Sequence, residues 1–76
     1  MAFERISRDP AIMAGVPCIT GTRIPVATVV AYLGEGQSPE DVVRDFPQLT
    51  LADVREALTF AAQTLREREI PLSISA

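Results

Sequence analysis

The residues of this chain best suited to chemistry are its arginines. All seven of its cations are Arg, set against ten Asp and Glu. A guanidinium presents a planar fork of donors and stays charged, so it binds phosphates and carboxylates and does not serve as a general base. Arg5, Arg8 and Arg23 lie near the start of the chain beside only Glu4 and Asp9, so phosphate contacts would begin there. Arg55 lies further on and is of a type that reads guanine edges or pairs with a phosphate. Its neighbours Asp53 and Glu56 would repel a phosphate backbone, and Arg55 pairs equally well with Glu56 or Thr59 on a solvated face. Arg23 sits in the run GTRIPV, residues 21–26. A structural joint accounts for the glycine and the proline there. It does not need a guanidinium, which would reach a phosphate or an acidic group within a dimer.

Nucleophilic and metal chemistry find little to work with. Cys18 is the single cysteine, and the chain has no histidine to act as its base. The carboxylates are spread over prospective helix starts and outer faces, where capping and solubility account for them, and none clusters with Cys as metal ligands do. An enzyme would need a general base or a metal site that these residues do not supply, so no catalytic residue, cofactor or metal is expected. Seventy-six residues allow one domain, and a domain this small buries only about 60% of its unfolded surface. The net charge of −3 gives no global positive field to draw nucleic acid or an anionic membrane. One cysteine excludes an internal disulfide, no charged leader precedes an apolar run, and no apolar stretch approaches the roughly 20 residues that span a bilayer. A soluble chain in a reducing, cytoplasmic setting is the expectation.

The elements that must position these groups centre on residues 38–68. Ser38 can accept from an orphan amide, Pro39 suits the first helical position, and Glu40 and Asp41 oppose the helix dipole. This helix ends near Phe46, because Pro47 forbids continuation and pushes its neighbour out of helical geometry. Thr50 can cap again with Asp53 as a capping-box partner. Beyond it Leu51, Val54, Leu58, Ala61 and Leu65 recur at spacings of three and four, one face of a long helix. Two capped helices on so tight a turn cross steeply, which is a helix-turn-helix.

Residues 1–24 form an N-terminal arm, with extended signals over 3–7, a turn at Asp9-Pro10, a break at Gly15, and a tiny hairpin or bent strand over 17–24 around Gly21. Pro25 starts another helix whose Val26, Val29, Val30 and Leu33 share a face, closing at Gly34. The expected fold is therefore mainly α: a three-helix, homeodomain-like helix-turn-helix bundle over residues 25–69, preceded by a short hairpin or strand and followed by an extended tail over 70–76. Its core is expected from Val26, Val29, Val30, Leu33, Val42, Phe46, Leu49, Leu51, Val54 and Leu58, with Val54 and Leu58 at the centre. The long helix outruns that core, which leaves Ala61, Ala62 and Leu65 in need of another surface and predicts a homodimer. In the tail, Ile70, Leu72 and Ile74 alternate around Pro71 with no partner of their own, and Arg66 and Arg68 stand beside them.

With those residues assembled, the chain resembles the bacterial and archaeal domain of unknown function family 433. The resemblance rests on Ile6, Pro10, Ile12, residues 15–26 (GVPCITGTRIPV), 36–40 (GQSPE), 47–50 (PQLT) and 53–62 (DVREALTFAA), and covers almost the whole chain. Where many relatives carry a lysine before the proline of the long signature, this chain has Val16, so the phosphate contact of that lysine is absent. The resemblance implies a helix-turn-helix fold. For short members ending in a helix and an Ile-Pro-Leu-like tail, it implies the antitoxin of a type II toxin–antitoxin pair whose partner is a PIN-like ribonuclease. On that reading Leu65, Arg66, Arg68, Ile70, Pro71, Leu72 and Ile74 bind the toxin. Arg5, Arg8, Arg23 and Arg55 contact operator DNA in autoregulation. The alternative is a stand-alone helix-turn-helix transcription regulator, which predicts a basic stripe.

Overall fold

A computed structural model describes residues 3–68 of the chain. In order they form strand β1 (Ile6–Ser7), a single turn at Met13–Gly15, strand β2 (Cys18–Ile19), and helices α1 (Val26–Gly34), α2 (Pro39–Asp45) and α3 (Leu51–Arg68). The mainly helical bundle with a small N-terminal sheet is the architecture expected from the sequence.

Each helix boundary has a local cause. At α2 the Ser38 hydroxyl accepts from the Asp41 amide at 3.1 Å while the Asp41 carboxylate accepts from the Ser38 amide at 2.9 Å, so two orphan donors are satisfied reciprocally. Thr50 and Asp53 repeat the device at α3, at 3.1 and 2.9 Å. Between them the chain turns through Pro47, closed by the Leu49 amide donating to the Phe46 carbonyl at 2.9 Å. Pro25 caps α1 one place before its first residue.

The hairpin over 17–24 forms as expected, and Gly21 takes a φ of 82° at its tip. The Ile19 amide donates to the Ile24 carbonyl at 2.9 Å, and Cys18 bridges Pro25. On its other side β2 pairs antiparallel with β1, Ile6 opposite Ile19 and Ser7 opposite Cys18. The arm is thereby tied to the bundle. The intervening turn holds Met13, Ala14 and Gly15 all at positive φ, of 53°, 55° and 84°, a conformation that costs non-glycine residues roughly 1–2 kcal/mol each.

The core comprises Cys18, Ile19, Val26, Val29, Val42, Leu49, Val54 and Ala57, with Val30, Leu33 and Phe46 partly buried against it. Two expected core residues lie elsewhere: Leu51 and Leu58 are each 41% exposed. The reason is the rotation of α3. It buries the small Ala57 together with Val54 in the core cluster and turns the larger leucines out. Among the described residues no helix is long and apolar enough to cross a membrane.

Candidate functional site

The arginines divide by what holds them. The Arg5 guanidinium donates to Asp53 at 3.0 Å, and its backbone amide donates to the Glu56 carboxylate at 2.6 Å. The first links of the arm are thus buttoned onto α3. Asp53 is only 8% exposed, so it is not the outward-facing residue the sequence led one to expect. Burial opposes its ionisation, but the Thr50 amide, the Arg5 guanidinium and the Thr50 hydroxyl outweigh that and hold its carboxyl below the usual range. Arg8 lies over the Phe60 ring, 5.5 Å from its centroid, and Phe3 meets the same ring edge-on at 5.3 Å.

Arg23 and Arg55 are exposed, and among the described residues neither takes part in an ion pair. Arg23 borders a shallow depression of about 580 Å³ that also includes Ile12 and Gln48, so the hairpin tip stands beside the turn of the helix-turn-helix. Arg55 borders a depression of about 210 Å³ between the start of α2 and the first turns of α3. The structure does not gather Arg5, Arg8, Arg23 and Arg55 into one basic stripe. The first two are exposed too but are held against α3, by Asp53 and by the Phe60 ring, and the other two stand at separate depressions.

The apolar features are more continuous. A groove of about 430 Å³ runs along α1 and the second half of α3, lined by Val16, Val26, Val30, Phe60, Ala61 and Leu65 among others. Leu65 is 62% exposed at its end. Arg66 and Arg68 are exposed in the last turn of α3. Ile70, Pro71, Leu72 and Ile74 lie outside the described residues. Among the described residues no group of three or more Cys, Asp or Glu is placed to hold a metal ion.

Sequence reasoning missed the Arg5–Asp53 bond, the Glu56 contact and the Arg8–Phe60–Phe3 stack, all long-range in the chain. It also missed that α3 carries two apolar stripes. The signal for the second was the strict seven-residue recurrence of Leu51, Leu58 and Leu65, whereas the buried Val54 and Ala57 lie three residues apart.

The pattern of the family described as "Protein of unknown function (DUF433)" matches residues 6–61. The "Uncharacterized protein y4eO" of Sinorhizobium fredii (strain NBRC 101917 / NGR234) is 37% identical over 68 residues, which take in 88% of this chain and 31% of that protein. The chain thus spans under a third of that relative's length. A crystal structure of a DUF433 member from Anabaena variabilis ATCC 29413, at 2.00 Å resolution, is similar with a TM-score of 0.76 and 32% identity, over 83% of this chain and 62% of that one.

Proposed function

The chain belongs to the DUF433 family, and on that footing we propose that it is a cytoplasmic protein-binding module, the antitoxin of a type II toxin–antitoxin pair. Its partner is a PIN-like ribonuclease, and the chain itself is not an enzyme. The observation that carries this reading is the apolar groove along α1 and the second half of α3, which ends at Leu65 beside the exposed Arg66 and Arg68. An apolar groove gives a partner protein area to bury, and the guanidinium forks beside it match the clustered carboxylates of a metal-dependent ribonuclease. The groove and α3's last turn would then hold and block the nuclease, with residues 70–74 adding apolar anchors.

The test is reconstitution with the product of the neighbouring reading frame. RNA cleavage by that product should fall when the full chain is added in equimolar amount. It should recover when the chain carries Val30→Asp with Leu65→Asp, or Arg66→Glu with Arg68→Glu. Cleavage unaffected by the full chain would dismiss the reading.

Operator binding forms the second part of the proposal, with Arg23 at the hairpin tip as its principal phosphate contact and Arg55 as a secondary one. The stand-alone regulator is the alternative. Tight, specific operator binding by the chain without a partner would favour it.

A further inference from the structure

On α3 the exposed leucines are Leu51, Leu58 and Leu65, at strict seven-residue intervals outside the core. A seven-residue apolar repeat on an otherwise straight helix is the seam along which a second helix packs with a slight left-handed cross. This seam has a further property. Leu51 and Leu65 are equally distant from Leu58 along the helix, so the stripe maps onto itself when the helix is turned end for end about Leu58. Such self-complementarity is what a two-fold interface requires.

We propose that two copies of this chain pair through antiparallel α3 helices, with Leu58 on the two-fold axis and Leu51 of each copy facing the partner's Leu65. Four observations besides the repeat select a second copy as the occupant. Leu65 is the most exposed large apolar side chain among the described residues. At the opposite end of the stripe lies the depression of about 210 Å³ lined by Pro39, Glu40, Leu51, Val54, Arg55 and Leu58. The antiparallel register brings the partner's Leu65 to that depression, so knob and hole are supplied by the same surface, twice over. The charges agree as well. The start of α2 carries exposed Glu40, and the last turn of α3 carries exposed Arg66 and Arg68, which the same register sets opposite it. Ala62, exposed and small, leaves room for the long side chain of the partner's Arg55.

The seam shares Leu65, Arg66 and Arg68 with the surface assigned above to the toxin, so a second copy and a toxin compete for the end of α3. The pairing also turns the outward face of α3, which a DNA-reading helix would present, into a protein interface. Operator contact is then left chiefly to Arg23.

Sedimentation of the purified chain, with cysteine cross-linking, tests the geometry. The parent should be dimeric at tens of micromolar. Leu58→Asp places two like charges on the axis and should weaken the dimer at least about a hundredfold, while far-UV circular dichroism shows the helices retained. Glu40→Arg should weaken it about two- to fivefold, and adding Arg66→Glu with Arg68→Glu should restore it. Buried Cys18 stays out of the cross-linking. Under mild oxidation Leu58→Cys should join to itself. Leu51→Cys and Leu65→Cys should join only to each other when mixed. A monomeric parent, a dimer indifferent to Leu58→Asp, or Leu51→Cys joining to itself as readily as to Leu65→Cys would overturn the proposal.

Discussion

Asp53 shows how much one side chain can hold together. It accepts from the Thr50 amide at the start of α3 and from Arg5 of the N-terminal arm, so it caps a helix and fastens a strand. Asp53→Ala leaves the amide and the guanidinium without their acceptor and should cost about 1–3 kcal/mol in urea denaturation. The carboxyl also sets a pH dependence. Its folded-state pKa lies below the unfolded one, as does that of Asp41, held down by the Ser38 amide and hydroxyl. The stabilisation is therefore complete above the unfolded value near 3.9 and is lost as pH falls through that value towards the folded one. Urea midpoints should be level above about pH 5 and drop below about pH 4. In Asp53→Asn the acid drop should shrink. An unchanged drop would place the acid sensitivity elsewhere. Backbone strain gives a second test at this scale: Gly21→Ala meets no atom within 4 Å yet must hold a φ of 82°, and should cost about 1 kcal/mol in the same assay.

At the scale of the element, α3 decides what is core and what is surface. Val54→Ala empties a site that is 1% exposed and should cost about 1–3 kcal/mol. Leu58→Ala, on the outer face, should leave the protomer within about 0.5 kcal/mol of the parent when both are measured in dilute protein. Comparable losses at the two positions would mean that α3 is rotated from its described setting. Ala57 makes the complementary point, because it is fully buried in the core cluster. Ala57→Leu should force the helices apart and cost about 1–3 kcal/mol, read as a lowered thermal midpoint.

For the whole molecule the governing quantities are a small core and a net charge of −3. A chain with so few free cations has few counterions to release on binding DNA. Binding of a duplex by the chain without a partner should be weak, with a log–log salt slope no steeper than about −4 for a dimer. Arg23→Ala should weaken it further, in fluorescence anisotropy against salt. A steep slope, or tight binding insensitive to salt, would show that the phosphate contacts lie on residues other than Arg23 and Arg55.

The amino-acid sequence by itself determined the three helices, their caps and the turn between α2 and α3, together with the hairpin around Gly21. These features depend on residues within one turn of one another: Ser38 with Asp41, Thr50 with Asp53, Pro47 after Phe46. It also specified which residues of α3 are apolar, but they read as a single face. Only the tertiary structure decided which of them are core. Val54 with Ala57 and Leu51 with Leu58 are both apolar and helically spaced, and the choice between them was made by the packing of α1 and α2 against α3, which buries the first pair and leaves the second exposed. The same holds for the pairing of β1 with β2 and the bond from Arg5 to Asp53, whose partners are distant in the chain. Local hydrogen-bond chemistry is written in neighbouring residues, whereas packing is a comparison among surfaces that exists only once the elements have met.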